Sequence, residues 1–159
     1  MTPLYSRAKV GKRAFGKAPK AKGVNLTVVG AIALDGLRCM MAYENGTTNQ
    51  VFLKFVAEAL VPSLYRGDIV VMDNLKSHYA FGVREAIEAV GATVLYLPPY
   101  SLELNPIEHT WSKIKSMLRR AEARTLRALA GALSVCTAAI SRSDLFGWFT
   151  HCGYSAQPD

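Results

Sequence analysis

Cysteine is scarce in this sequence, and long apolar runs are absent from it. Cys39, Cys136 and Cys152 are odd in number, far apart and without a neighbouring Cys or His at the spacing of metal ligands. This pattern indicates neither a disulfide framework nor a zinc site, and it fits a reducing cytosol. No apolar run is long enough for a membrane span, and the N-terminal segment lacks the apolar stretch of a secretory signal. We therefore expect a cytoplasmic protein that does not bind a membrane.

Acidic residues are missing from the first 23 positions, where seven of the 19 lysines and arginines lie. These seven are Arg7, Lys9, Lys12, Arg13, Lys17, Lys20 and Lys22. The rest of the chain has as many basic as acidic residues, so the net charge of +7 comes from this segment. A basic segment of this kind can lie along a DNA phosphate backbone. A solvated tail is the alternative, and a transit peptide is disfavoured because Gly and Pro interrupt the segment.

The length of 159 residues, half of them hydrophobic, allows one ordinary core and is short for two. The chain is therefore divided into a basic N-terminal arm, residues 1–23, and one domain, residues 24–159. No internal repeat and no interdomain linker interrupts that domain.

Apolar periodicity and turn residues predict an alternation of strands and helices. Strands are expected at 24–34, 37–43, 68–72 and 93–97. Helices are expected at 49–60, 81–90 and 105–122, and a last one begins after 124 or 125 and continues to 140. Asp35-Gly36 marks a hairpin turn between the first two strands. The strand, helix and strand between 68 and 97 imply a parallel pair. The predicted fold is α/β, a mixed sheet flanked by helices, whose first strand is missing.

The last two predicted helices each carry an apolar stripe. The expected core positions are Ile107, Trp111, Ile114 and Leu118 in one, and Leu126, Leu129, Leu133 and Ile140 in the other.

Two acids stand where predicted elements end or begin. Asp73 follows a buried strand, the place where open α/β sheets gather catalytic groups, although Asp-Asn is also a good turn former. Glu108 lies in the first turn of a helix, where it can instead complete a capping box with Asn105. A parallel sheet would bring both carboxylates to one edge. Two such acids suggest a site for a hard divalent cation such as Mg²⁺, and phosphoryl transfer uses pairs of these ions.

The surrounding motifs make the interpretation specific. VVMDNLKSH and LPPYSLELNPIEHTWSKIK resemble two signatures of the mariner-related insertion-sequence transposases, and 34 residues separate Asp73 from Glu108, as in that group. Similarity extends through VNLTVVGAIALDG, EALVPSLYRGDIVV and REAIEAVGATVLYLPPYS to the closing Gly and Tyr154, so nearly the whole chain is covered. The chain thus resembles the DDE endonuclease domain of a bacterial insertion-sequence transposase of the family 630 type.

This resemblance implies an RNase H-like fold and a site of three carboxylates that binds two Mg²⁺ or Mn²⁺ ions. Its chemistry is cleavage of a DNA strand followed by attack of the freed 3′-hydroxyl on target DNA. The implied partners are double-stranded DNA, at element ends and target, and further copies of the chain on that DNA, in the bacterial nucleoid. Asp73 would be the second Asp of the triad and Glu108 its Glu.

The first Asp of the triad has no counterpart here. Asp35 falls in the predicted hairpin turn, and Asp68 lies at the opposite end of the strand that leads to Asp73. We therefore expect an incomplete site that depends on an upstream transposase segment. The alternatives are a catalytically inactive DNA-binding remnant and, on fold analogy alone, a generic RNase H-like nuclease.

Other residues are expected to support the acids. The resemblance places His78 in a DNxxxH motif, and both a site role and a simple loop hydrogen bond are open for it. Asn74 and Asn105 would orient the two carboxylates. Lys115 shares a helix face with Glu108 and would contact DNA.

Overall fold

The computed structural model describes residues 7–13, 26–44, 46–123 and 125–155. The strands are β1 (Leu26–Ala33), β2 (Gly36–Glu44), β3 (Ile69–Met72) and β4 (Thr93–Tyr96). The α-helices are α1 (Asn49–Phe55), α2 (Val83–Glu88), α3 (Ile107–Ala121), α4 (Leu126–Ala138) and α5 (Arg142–His151). The chain forms two compact units, one of 24–108 with 141–159 and the other of 1–23 with 109–140.

The first unit begins with the antiparallel hairpin of β1 and β2, which confirms the two predicted strands. The turn lies at Leu34-Asp35, one residue earlier than expected, because Gly36 already pairs with Ala33 as the first residue of β2. The register shifts between Ala31 and Ile32, the irregularity of a β-bulge. Positions 24 and 25 of the predicted first strand lie outside the described residues.

Helix α1 begins at the N-cap Thr48, whose hydroxyl accepts a hydrogen bond from the Val51 N–H at 3.2 Å. The helix continues as a π-helical turn over Val56–Leu60 and a 3₁₀ turn over Val61–Ser63. Pro62 lies in that final turn, just after the predicted end of the helix at 60. The apolar stripe of α1 and the π turn is buried in the core of this unit.

The parallel pairing of β3 with β4 confirms the predicted strand, helix and strand. Helix α2 between them is shorter than expected, because Gly82 adopts a φ of +94° just before it and the Glu85 carboxylate caps the Gly82 N–H at 3.0 Å. Gly91, at a φ of +82°, follows the helix in the left-handed conformation that commonly ends one.

A common core lies between these elements. Its buried residues are Phe52, Phe55, Val56, Leu60, Met72, Val83, Ile87, Ala92 and Val94, and residues of β1 and β2 pack against it. The expected single mixed sheet is divided into two two-stranded sheets, because no strand among the described residues pairs with both β1 and β3. The fold is nevertheless mixed α/β, with one antiparallel and one parallel pair.

Helix α5 was not among the expected elements and closes the first unit. Ser141 and Asp144 form a capping box at its start, with the Ser141 hydroxyl accepting from the Asp144 N–H at 3.1 Å. Leu145 and Cys152 are buried. The Ser-x-x-Asp signature of this helix is present in the sequence.

In the second unit, α4 begins just after Thr125, within the predicted range. The Thr125 hydroxyl caps the helix and accepts from the Ala128 N–H at 3.1 Å. Ile114, Leu118 and Leu133 are buried as expected, and Ile107, Trp111, Leu129 and Ile140 are partly buried. Leu126 is wrong as a core residue: it is 44% exposed, because it is the first residue of α4. Buried Thr110 and Cys136 were not foreseen.

All three cysteines lie in the described ranges and are free. Burial raises the pKa of each thiol, so all three are protonated and weakly nucleophilic near neutral pH. None of the helices in the described ranges has the length and apolarity to cross a membrane.

We predict that Gly91→Ala lowers the free energy of unfolding by about 1–2 kcal/mol, because an L side chain is strained at positive φ. The added Cβ would also lie 2.8 Å from Cγ of Arg66. Urea denaturation measures the change.

Gly131→Ala is the matched control, since a Cβ there meets nothing within 4 Å. It lies inside α4 and should stabilise the protein by about 0.5–1 kcal/mol. A loss of stability in both variants, or in neither, would contradict this account.

Candidate functional site

Asp73 follows β3 directly and lies partly buried in the loop that leads to α2. Its Oδ1 accepts a hydrogen bond from the Leu75 N–H at 3.2 Å, the turn geometry typical of an Asp in this position. The same oxygen lies 2.8 Å from Nδ1 of His78. Among the described residues no hydrogen bond to Oδ2 is seen. One carboxylate oxygen is thus used to shape the loop, and the other is left for a ligand.

His78 lies beside Asp73, and hydrogen bonds and ring packing fix its position. Nδ1 lies 3.0 Å from the backbone carbonyl oxygen of Asp73 as well as near Oδ1, so the proton belongs on Nδ1. The imidazole ring packs against Phe52 with 4.4 Å between centroids. The His78 carbonyl accepts a hydrogen bond from the Tyr96 hydroxyl at 3.0 Å.

Asn74 joins the ends of β3 and β4. Its side-chain amide donates a hydrogen bond to the carbonyl of Leu97, and its side-chain oxygen accepts one from the Tyr79 hydroxyl. The Leu97 N–H in turn donates to the Met72 carbonyl at 2.8 Å, continuing the parallel ladder. The two loops that follow β3 and β4 are therefore tied together at one edge of the sheet.

Two tyrosines that sequence reasoning did not single out strengthen this tie. Tyr79 and Tyr96 stack with 4.2 Å between ring centroids, and the Arg84 guanidinium lies 5.2 Å from the Tyr96 ring. The Tyr79 hydroxyl contacts Asn74, and the Tyr96 hydroxyl contacts the carbonyl of His78. Tyr79 directly follows the DNLKSH motif, which could have drawn attention to it. No local pattern indicated a role for Tyr96.

The loop from Leu97 to Glu108 presents the second acid. Tyr100, after Pro98 and Pro99, has a φ of +61°, and its side chain is fully exposed. A 3₁₀ turn, Leu102–Leu104, precedes Asn105.

Asn105 is buried, with only 8% of its surface exposed, and its carbonyl accepts from the Glu108 N–H at 3.1 Å. Glu108 is exposed in the first turn of α3. No hydrogen bond or ion pair joins Glu108 to Asp73 within the described part of the chain.

Tyr154 anchors this second loop from the C-terminal side. Its hydroxyl donates to the Leu104 carbonyl at 2.9 Å, and its ring meets Phe149 edge to face at 5.6 Å. Burial, with a smaller contribution from Cys152, raises the pKa of Tyr154. Tyr154 lies 50 residues from Leu104 in sequence, so local patterns gave no indication of the contact.

The donor chemistry of the two acids suits a divalent metal, since Mg²⁺ and Mn²⁺ prefer carboxylate oxygens. Asp73 offers Oδ2, and Glu108 is open to solvent. The described residues contain no group of three or more His, Cys, Asp or Glu side chains placed to hold a metal ion. The pair therefore fits part of such a site.

The other two acids considered for the triad lie elsewhere, as expected. Asp35 is in the hairpin turn and pairs with Arg38 at 3.2 Å. Asp68 precedes β3 and caps the Tyr65 N–H at 2.8 Å, at the opposite end of the strand from Asp73.

The basic residues predicted to meet DNA are exposed where the structure describes them. Arg7, Lys9, Lys12 and Arg13 of the arm are exposed, and Lys115 is exposed on α3. Lys17, Lys20 and Lys22 lie outside the described residues.

A sequence model of the DDE superfamily endonucleases matches residues 1–130. The chain therefore belongs to the DDE superfamily endonuclease family. No curated protein sequence matches it significantly.

Solved structures of Mos1 share the fold. The chain superimposes on the Mos1 strand transfer complex with a TM-score of 0.76 and 19% identity over 93% of this chain and 46% of that one. A Mos1 mariner paired-end complex with Mn matches at 0.73 and 21% identity, covering 92% and 46%. A Mos1 transposase paired-end complex with the left transposon end matches at 0.73 and 20% identity, covering 93% and 46%. The chain thus has the RNase H-like fold and spans about half the length of these proteins.

We predict that Tyr154→Phe lowers the free energy of unfolding near neutral pH by about 1 kcal/mol, because the Leu104 carbonyl loses its donor. Tyr154 has a pKa raised by burial, so its stabilising contribution is complete below about pH 10 and is lost as the pH rises through the raised value. The wild type should therefore lose stability in alkali, and the variant should lose less.

Thermal melts between neutral and strongly alkaline pH test this, with the exposed Tyr65→Phe as the control. The buried thiols and Tyr43, whose pKa values are also raised by burial, act in the same direction in both proteins. Parallel curves for the wild type and Tyr154→Phe would refute the role given to this hydroxyl.

Proposed function

We propose that this chain is the catalytic region of a bacterial insertion-sequence transposase, mariner-related and of the family 630 type. It would cleave DNA strands at element ends and join them to target DNA. The observation that carries this proposal is the parallel pair of β3 and β4, which ends in the DNLKSH loop at one strand and the loop to NPIEHTW at the other. Membership of the DDE superfamily endonucleases supports it.

Asp73 and Glu108 would hold Mg²⁺ or Mn²⁺, two ions in the complete site. Such ions, when bound, activate water and stabilise the leaving oxygen of a phosphodiester. His78 holds Oδ1 of Asp73 and leaves Oδ2 for a ligand, while Asn74 keeps the two loops together. Asn105 would set the position of Glu108 through its buried side chain and its carbonyl. The relative solved with Mn gives the metal assignment support.

The third carboxylate of the site would come from an upstream transposase segment. Two observations support this: Asp35 and Asp68 are engaged away from Asp73, and no strand in the described ranges bridges β1 and β3. In this proposal residues 24–159 form the partial catalytic domain and residues 1–23 a DNA-binding arm.

DNA at element ends and target would be the substrate. The arm residues and Lys115 would contact its phosphates, and further copies of the chain would assemble on it, in the bacterial nucleoid. The Mos1 relatives solved with a transposon end and as a strand transfer complex support DNA as the partner.

Nicking of element-end DNA by this chain together with the upstream segment tests the catalytic proposal. Asp73→Asn and Glu108→Gln should each reduce the metal-dependent rate by at least about a hundredfold, because a metal ligand contributes several kcal/mol to transition-state stabilisation. Glu103→Gln, an exposed acid in the same loop as Glu108, is the control and should keep its rate. Full activity in either of the first two variants would refute the assignment.

The second candidate function is a DNA-binding remnant without catalysis. The finding that favours it is that the described residues offer two suitable carboxylates and no third. Cleavage absent with every divalent metal and with the upstream segment added, while DNA binding persists, would select this function over the first.

In both functions the basic arm would bind DNA. Replacing Arg7, Lys9, Lys12 and Arg13 by Ala should flatten the dependence of log affinity on log salt by about 0.9 for each phosphate that is no longer neutralised. Lys54→Ala is the control, because Lys54 lies on α1 beside Glu58 at 3.9 Å. An unchanged slope in the fourfold variant would show that these four residues do not contact DNA.

A further inference from the structure

Tyr100 combines two properties that oppose each other. Its backbone has a φ of +61°, and Glu122 is the only other non-glycine residue in the described ranges with positive φ. Such a conformation is unfavourable for a bulky side chain. The ring is nevertheless fully exposed, at 101% of its reference surface, so the fold gains no burial in return. A strained, exposed aromatic side chain points to a role outside folding.

Hydrogen bonds and two prolines fix the backbone on both sides of Tyr100. Before it, Leu97 is bonded to Met72 and Asn74, and two prolines restrict the chain. After it, the Ser101 hydroxyl donates to the Pro99 carbonyl at 3.4 Å and the Ser101 carbonyl accepts from the Leu104 N–H at 3.1 Å. The ring is therefore presented from an anchored loop.

The same loop joins the two proposed metal ligands. It leaves the sheet at Leu97, which is tied to the residue after Asp73, and it ends at Glu108. Tyr100 lies three positions after Leu97, so their Cα atoms are at most about 11 Å apart. In the proposed function, a DNA strand that reaches both carboxylates would pass the loop that carries this ring.

A single exposed aromatic ring has the size to stack on a single nucleobase. A base that has left the helix stacks on an aromatic side chain whatever its identity. A protein partner would need a patch of about 800 Å² on each side, more than the two large hydrophobic side chains exposed in this loop, Tyr100 and Leu102, can offer.

We propose that the Tyr100 ring stacks on an unpaired base of the DNA beside the site of strand cleavage. This inference rests on the proposed function, because it takes DNA as the substrate of Asp73 and Glu108. Tyr100 contacts the substrate and fixes its position, and takes no part in proton or phosphoryl transfer.

The test measures binding without divalent metal. The probes are a blunt DNA duplex and the same duplex with a short single-stranded overhang that carries a fluorescent adenine analogue. The wild type should prefer the overhang and quench the analogue. Tyr100→Leu should lose the preference by on the order of tenfold and lose the quenching, while Tyr100→Phe keeps both. Affinity for the blunt duplex should not change.

Two further variants separate binding from folding. Tyr100→Gly should lose the overhang preference while its melting temperature stays equal or rises, because glycine accepts positive φ. Tyr65→Leu replaces an exposed tyrosine at the opposite end of β3 and should bind both probes like the wild type.

The outcomes distinguish this inference from the proposed function. If Tyr100→Leu binds and quenches like the wild type, the inference is overturned and the proposed function stands on the nicking assay. A change of oligomeric state in Tyr100→Leu, with the overhang preference kept, would assign the ring to a protein contact and overturn the inference. If the wild type binds neither probe even with the upstream segment added, DNA as substrate fails and both proposals fall.

Discussion

Parallel backbone pairing between β3 and β4 is the constraint on which the site depends. The strands match from Ile69 with Thr93 to Met72 with Tyr96, and the Leu97 N–H adds one more hydrogen bond to Met72 at 2.8 Å. Parallel strands end at the same edge of a sheet, so the chain segments carrying Asp73 and Glu108 leave from adjacent points. A one-residue slip would place Val70 and Met72 on the outer face and remove the core packing that fixes the register.

Elements governed by local chemistry could be predicted from the sequence. The Thr48 and Thr125 caps, the glycine after α2 and the apolar runs of β3 and β4 each depend on residues a few positions apart. Elements governed by distant contacts could not. The division into two sheets and the π-helical turn after Phe55 depend on which elements pack together. Helix α5 had a local signal in its capping box, but its weak amphipathic pattern obscured it.

In the candidate site, too, the locally determined features could be predicted from the sequence and the long-range contacts could not. The motifs around Asp73 and Glu108 indicated the acids, and the short spacing of His78 from Asp73 made their contact foreseeable. The contacts that hold the loops join residues far apart in sequence: Asn74 and Leu97 are separated by 23 positions, and Tyr154 and Leu104 by 50. Sequence patterns reveal residues with distinctive chemistry, whereas a tyrosine that donates one hydrogen bond to a remote carbonyl looks like any other tyrosine.

The central claim is that Asp73 and Glu108 belong to one metal site. Paramagnetic broadening by Mn²⁺ in the amide NMR spectrum of the chain tests it most directly, because the effect falls steeply with distance from the ion and does not require catalysis. The account predicts that signals of residues 73–75 and of residues 107–109 broaden together at low Mn²⁺, and that Asp73→Asn abolishes both effects. Broadening confined to one segment, or equally strong at the exposed acids Glu103 and Glu122, would contradict it.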